Sequence, residues 1–505
     1  MKLNNTGIAD KKQWLDKGYR LPEYDRDAVR ANTVKNPKWI HFGAGNIFRA
    51  FQANVMQDLL NRGITDTGLI VAEGYDYEII EKMNRPHDDL SILVTLKADG
   101  TVEKTVVGSI VESCMLDEDN EKEIERLREI FRAPSLQMIS FTITEKGYKT
   151  PAYMGKVTRL LYERFLEGAL PVAMVSMDNC SHNGDKLYEA VIEFADKWEK
   201  DGTCKKGFKD YVSDKSRVSF PLSMIDKITP RPDAKIESML IEDGIEDLLQ
   251  VVTSKNTYVA PFVNAEETQY LVIEDVFPNG REAYEKGGII FTDRETVDKT
   301  EKMKVCTCLN PLHTALAVFG CLLGYTTIHD EMDDKDLKDL VYKLGYVEGM
   351  PVVVDPKVLS PKDFIEAVLK LRLPNPFMPD TPQRIACDTS QKIPIRFGET
   401  IKAYRERTDL STDSLTLIPL VLAGWLRYLK GIDDNGDRFE LSPDPKLDEL
   451  KTMDVKDILK RKEIFAVDLY EDKLADKILA MYEEMMQGNG SVRKVLKKYV
   501  DSVLA

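Results

Sequence analysis

The residues best suited to chemistry lie in one short block, Glu301-Lys-Met-Lys-Val-Cys-Thr-Cys-Leu-Asn-Pro-Leu-His313. It places Lys304, Asn310 and His313 just ahead of an apolar run, 314–324. A lysine forced beside apolar surface is harder to keep charged, which makes it a usable base or acid near neutral pH. An asparagine amide or a histidine nearby can polarise a carbonyl or hold a hydroxyl. Each has a plainer reading. Asn310 precedes Pro311 and could cap a helix that begins on the proline, and His313 could be a satisfied core histidine. Cys306, Cys308 and His313 raise the question of a metal, but their apolar surroundings and the lack of a second ligand cluster argue against one. No metal site is expected.

A second block has the form of a nucleotide turn. His41-Phe-Gly-Ala-Gly-Asn-Ile-Phe-Arg49 follows a strand-like segment, 39–42, and opens a helical one, 47–62. Gly43 permits a tight turn, and Gly45 lets backbone N–H groups approach a pyrophosphate at the helix start. Phe48 stands where a third glycine is usual, and Asn46, Phe48 and Arg49 are expected to bind the cofactor together with the two glycines. An acid closing the next strand, 68–72, should accept the ribose hydroxyls, and Glu73 and Asp76 are the candidates. Glu73 lies farther beyond Gly45 than the usual spacing of about 20 residues, which a longer first helix would explain. A carboxylate there favours NAD over NADP, because it repels the extra phosphate. Either acid could equally be an ordinary loop charge.

The elements that must position these blocks change character along the chain. Strand-like segments 39–42, 68–72, 91–96, 105–110, 136–144 and 171–177 alternate with helical ones at 47–62, 77–83 and 153–167. Repeated strand–helix–strand units predict a largely parallel, doubly wound sheet. Beyond about residue 295 the helix patterns 301–324, 336–344, 361–371, 411–429, 444–451, 472–487 and 491–504 dominate. The expected class is α/β, with a nucleotide domain over 1–295 and a mostly helical substrate and catalytic domain over 296–505.

Composition narrows the partners. With 70 basic and 85 acidic residues the net charge is −15, which disfavours nucleic acid or an anionic membrane. Seven scattered cysteines fit no disulfide framework. The first twenty residues lack a signal-peptide core, and the longest apolar runs, 315–323 and 415–426, are too short to span a bilayer. A reduced, cytoplasmic protein is expected. The apolar patterns do not separate core helices from interface helices, so they set no oligomeric state.

Taken together, the two blocks resemble the polyol-specific long-chain dehydrogenases, the mannitol dehydrogenase family. The likeness continues through Thr144-Glu-Lys-Gly-Tyr148, Ser176-Met-Asp-Asn-Cys-Ser-His-Asn-Gly184 and Phe220-Pro-Leu-Ser-Met-Ile-Asp-Lys-Ile-Thr-Pro230. It extends to Val272-Ile-Glu-Asp-Val-Phe277, Gly280-Arg281 and Arg372-Leu-Pro-Asn-Pro376. The resemblance implies a metal-independent enzyme with a Rossmann-type domain and a helical C-terminal domain, interconverting a secondary alcohol and a ketone on open-chain sugar alcohols or sugar acids. It assigns the general base to Lys304, with Asn310 and His313 beside it. Asn179 becomes a further oxyanion donor, and Glu301 a gate for proton exchange. Asp226 falls in a block suggesting contact with the nicotinamide ribose, its plainer reading being a salt bridge with Lys227.

The chain departs from the family pattern twice. Asn310 follows Lys304 by six residues, where the family has five, and Met177 replaces a cysteine. Lys302 matches less well than Lys304, because Glu301 keeps its family spacing to Lys304. A sugar acid would need a cation for its carboxylate. Arg231, Arg372, Lys392 and Arg396 are the candidates, arginine being suited to paired hydrogen bonds with a planar carboxylate. These cations could instead meet cofactor phosphate or solvent. The stretch 307–325 most resembles the family's uronate branch, so the expected reaction is fructuronate plus NADH giving D-mannonate plus NAD. Tagaturonate reduction and mannitol oxidation are rival readings. A nucleotide-binding protein that has lost its chemistry is the rival of another class.

Overall fold

Six short apolar segments pair side by side in the first part of the chain. They are β1 (Trp39–Phe42), β2 (Leu69–Glu73), β3 (Ile110–Met115), β4 (Met138–Phe141), β5 (Val172–Ser176) and β6 (Val218–Ser219). Every pairing is parallel and the order is β3-β2-β1-β4-β5-β6. That is the doubly wound dinucleotide-binding arrangement, whose order reverses between β1 and β4. The structure, a computed structural model describing residues 1–504, divides into two units. One comprises 1–97 and 101–298, the other 299–504 with 98–100.

Burial on both faces explains why these strands carry nearly unbroken apolar sequence. Trp39, Leu69, Val71 and Val175 pack beneath α1 (Asn46–Ala50) and α2 (Gln52–Asn61). Ile40, Phe42, Ile70 and Met174 pack against α3 (Glu121–Arg132), α4 (Pro151–Leu166) and α5 (Asn183–Asp201) on the other face. The expected single strand over 105–110 is instead two. Val102–Val107 pairs antiparallel with Ser91–Leu96 in a second sheet, while β3 starts at Ile110 on the edge of the first. Gly108 makes the break: its amide donates to Gln57 Oε1 (2.6 Å), and a Cβ there would press on Leu90 and Pro22. The first unit is also less purely parallel than expected, since Ser223–Asp226 pairs antiparallel with Tyr270–Glu274.

The second unit contains no named β-strand among the described residues. Its spine begins with α6 (Arg294–Met303), whose last five residues fall in this unit. A π-turn, Lys304–Cys308, then leads into α7 (Asn310–Leu323). This 30-residue helical run is long and apolar enough to cross a membrane, yet 78% of its most apolar stretch is buried in the protein, as in a core helix. Helix α8 (Leu417–Tyr428) lies so close that a Cβ on Gly424 would touch the Phe319 ring at 3.0 Å. Helices α9 (Leu474–Met485) and α10 (Ser491–Ser502) close the bundle. The expected helices at 444–451 and 411–429 are shorter than their patterns, reduced to Leu447–Leu450 and α8.

Glu331 is the anomaly of this core. It is fully buried, neither carboxyl oxygen has a hydrogen-bond partner, and Oε1 occupies the space a Cβ on Gly320 would take. Burial pushes its carboxyl well above the ordinary 4.5. Below that value folded and unfolded chains both hold the proton. Above it only the unfolded chain releases it, so stability drains as pH rises. Glu331→Met is expected to raise Tm by about 2–4 °C at pH 8 and by less at pH 5, as thermal melts at the two pH values would show.

Candidate active site

At the switch point, β1 ends and the chain turns through Gly43 with φ of 110°. A Cβ on Gly43 would lie 2.4 Å from the Thr142 carbonyl oxygen just beyond β4, so both backbone and neighbour require glycine. Gly45 is different. Its φ of −77° suits any residue, and a Cβ there would meet nothing within 4 Å. The protein's own packing therefore does not require a glycine at 45, and the space beside it leaves room for a ligand against the turn. Helix α1 starts at Asn46, and its first amides have no partner within the helix. The turn thus fits a dinucleotide's pyrophosphate.

Phe48 shows why a third glycine is dispensable. Its ring stacks on His41 of β1 with centroids 3.9 Å apart and planes 1° from parallel. An aromatic stack takes over the helix–strand packing that glycine usually permits by closeness. Arg49 is buried and donates to the Ala260 carbonyl (2.8 Å) and to Asn46 Oδ1 (2.8 Å), and burial lowers it to about 10. Its reach is into the fold, where it anchors α1.

Glu73 also turns inward. One carboxylate oxygen accepts from the Ala44 amide (2.9 Å), and the other from the amides of Gly74 (3.0 Å), Tyr75 (2.8 Å) and Asp76 (3.2 Å). Burial pushes its carboxyl upward, and the four backbone donors pull against that shift. The acid expected at the ribose is thus engaged as a clamp between the glycine turn and the end of β2. Asp76 is buried as well, with Oδ2 accepting from Thr253 Oγ1 (2.5 Å) and Oδ1 without a hydrogen-bond partner.

The motif blocks beyond β4 and β5 are tied together by residues that sequence reading did not single out. Asp178 accepts from the amides of Ile143 (3.1 Å) and Thr144 (2.8 Å) and from the Tyr148 hydroxyl. It holds Thr144 in a left-handed conformation, φ 64°. Burial raises the Asp178 carboxyl, against the pull of these donors. Asn183 donates to the Asp178 carbonyl (3.0 Å) and to Ser223, fastening the loop that bears exposed Asn179 to the strand ending in Asp226. Lys227 donates to the Glu266 carbonyl (2.6 Å) and Gln269 (3.0 Å). Met177, the cysteine replacement, is fully buried with its sulfur 3.5 Å from Gln52 Nε2. An acid directly after a strand was the available signal for Asp178.

In the second unit Lys304 is 3% exposed and opens the π-turn, closed by the Leu309 amide on the Lys304 carbonyl (3.1 Å). A π-turn takes up one more residue than an α-turn before the next residue stacks above the first. It therefore accommodates one residue more between Lys304 and Asn310 than an α-turn would. Asn310 is the first residue of α7 and Pro311 the second, and no side chain caps the helix. The capping role expected of Asn310 is thus replaced by a place inside the first turn. Arg396 holds that turn, donating to Thr314 Oγ1 (2.6 Å) and the Asn310 carbonyl (3.4 Å). Burial lowers Arg396 to about 10.

His313 is one helical turn on, its Nε2 3.9 Å from Asp380, and Glu301 lies one turn before Lys304 on α6. Of the other cations, Arg372 is buried at the end of another π-turn, Val368–Arg372. Lys392 donates to the carbonyls of Ile385 (3.1 Å) and Cys387. Arg231 is exposed in the first unit, its guanidinium 4.4 Å above the Tyr258 ring. Among the described residues no group of three or more His, Cys, Asp or Glu side chains is arranged to hold a metal ion.

A Rossmann-type nucleotide unit followed by a helical unit suits a dehydrogenase, and comparison with known proteins makes it NAD-dependent and active on CH–OH groups. Two family profiles match the chain, the mannitol dehydrogenase Rossmann domain over residues 37–285 and the mannitol dehydrogenase C-terminal domain over 296–486. The chain belongs to the mannitol dehydrogenase family. A D-mannonate oxidoreductase from Thermotoga maritima is 50% identical, covering 99% of each chain. A mannitol 2-dehydrogenase from Emericella nidulans is 27% identical at the same coverage. The solved mannitol 2-dehydrogenase of Pseudomonas fluorescens, a ternary complex with NAD and D-mannitol, matches with a TM-score of 0.71 and 25% identity over 100% of both chains.

The two glycines should separate cleanly. Gly45→Ala is expected to change stability by less than about 1 kcal/mol while weakening NADH binding about tenfold or more. Gly43→Ala should destabilise the protein by at least about 1–2 kcal/mol from its backbone conformation alone. Denaturant unfolding and NADH fluorescence titration measure the two effects.

Proposed function

We propose that this oxidoreductase of sugar acids or polyols reduces fructuronate to D-mannonate with NADH, and that Lys304 is its general acid and base. The observation that carries the reading is Lys304 itself, buried at the head of the π-turn that leads to Asn310. Half-identity with a D-mannonate oxidoreductase supports the substrate. The dinucleotide is proposed to lie on Gly43, Gly45 and the start of α1 at Asn46, with Asp226 toward its nicotinamide ribose. Phe48, Arg49, Glu73 and Asp76 shape that turn from within.

NADH held at the Gly43–Gly45 turn would supply the hydride that the ketone carbon takes up. As the carbonyl electrons move onto oxygen, the Lys304 ammonium gives up a proton to that oxygen and becomes the neutral amine. In the oxidative direction the neutral amine takes the hydroxyl proton. The Asn310 amide is proposed to donate a hydrogen bond to the same oxygen, contributing about 3 kcal/mol at the transition state. His313 orients the substrate hydroxyls, and Glu301 exchanges the proton with solvent. Arg372 is proposed as the partner of the substrate carboxylate, while Arg396 acts through the first turn of α7.

Lys304→Met is expected to lower kcat about 10²- to 10⁴-fold while NADH affinity stays within about threefold. Stopped-flow reduction and NADH titration check this, and near-normal turnover would refute the assigned base. NADH oxidation assayed with fructuronate, tagaturonate and fructose tests the substrate. Turnover of fructose alone would overturn the sugar-acid reading.

A further inference from the structure

We propose that His41 is a positioning residue for the dinucleotide turn, acting through half-buried Thr142 on the Gly43 carbonyl as the centre of a one-directional chain of hydrogen bonds. The proposal rests on the reading of the Gly43–Gly45 turn as the NADH site.

The chain of bonds is set by the register of the sheet. His41 of β1 lies directly opposite Ser140 of β4. Side chains two apart share a face, so Trp39 and His41 point the same way, as do Ser140 and Thr142. Trp39 Nε1 lies 2.6 Å from Ser140 Oγ, Ser140 Oγ 2.6 Å from His41 Nδ1, and His41 Nε2 2.8 Å from Thr142 Oγ1. Thr142 Oγ1 in turn donates to the Gly43 carbonyl at 3.5 Å.

Proton counting gives the direction. The indole N–H can only donate, so Ser140 Oγ accepts from Trp39. Ser140 and His41 are both fully buried. The serine proton has one acceptor at hand, His41 Nδ1, and an Nδ1–H tautomer would leave that proton unpaired in the core at a cost of about 1–3 kcal/mol. His41 therefore carries its proton on Nε2 and donates to Thr142. Thr142's own proton is then left for the Gly43 carbonyl. Burial keeps the imidazole neutral, well below its ordinary value, which preserves Nδ1 as an acceptor. The stack of Phe48 on the same ring joins α1 to the chain of bonds. One side chain thereby touches both ends of the turn: its carbonyl at Gly43 through Thr142, and the helix after it through Phe48.

Thr142→Val keeps the shape and removes the hydroxyl, whereas Thr142→Ser keeps the hydroxyl. Thr142→Val is expected to raise the NADH Kd and KM about five- to tenfold, with the KM for the sugar acid within about twofold, and Thr142→Ser to restore NADH binding. In a double-mutant cycle with His41→Phe, which keeps a ring against Phe48, the two effects should be non-additive, because they break one chain. Wild-type NADH affinity in Thr142→Val, no rescue by serine, or additive effects would each overturn the relay. Should His41→Phe fail to fold, the valine and serine variants still decide the matter. Failure of the wild-type protein itself to bind NADH would instead remove the cofactor reading on which the relay stands.

Discussion

Strands β1 and β4 run parallel, Trp39 opposite Met138 and Phe42 opposite Phe141, and the chain leaves both at the same edge of the sheet. Much of the first unit follows from that pairing. It reverses the strand order and so opens a crevice at the strand ends. It brings the Thr142 carbonyl close enough to forbid a side chain at Gly43. It also sets His41 against Ser140, so that the polar residues of two neighbouring strands satisfy one another beneath the turn. A slip of one residue would send His41 to the opposite face, among the aliphatic side chains around Ile40 and Phe42.

Loops around this frame are held by buried carboxylates rather than by further sheet. Glu73 gathers four amides at the end of β2, and Asp178 gathers two amides and a hydroxyl beyond β5. In the second unit Glu348 accepts from the amides of Thr416, Leu417 and Ile418 and so caps α8. Arg164 is the cationic counterpart, fully buried and donating to carbonyls that include those of Phe131, Ala133 and Leu136. Each buries a charge-bearing group, and each is tolerable because backbone groups that would otherwise be orphaned supply the partners.

The sequence disclosed what is local. The strand at Trp39, the turn at Gly43 and the apolar length of α7 each write a pattern into adjacent residues, and the order of those patterns announced the α/β unit and the helical one. Relations that depend on distant donors left little trace. Nothing near Glu73 shows that its carboxylate faces backbone amides rather than solvent, and Asp178 reads as one more acid after a strand. The break at Gly108 is hidden because the residues on both sides favour strands, and only their partners in different sheets separate them. The π-turn lies between these cases: it has no composition of its own, but it betrayed itself as one residue too many between Lys304 and Asn310.

That surplus residue bears on how such a segment can change over descent. In a regular helix, adding or deleting one residue swings everything on one side of the change by about 100° relative to the other. Here the surplus residue falls in a widened turn, Lys304–Cys308. A π-turn takes up one residue more than an α-turn, so a six-residue interval can span what five residues span in an unbroken helix. A one-residue change in length beside Lys304 can thus be taken up by the turn, where in an unbroken helix it would turn the lysine aside.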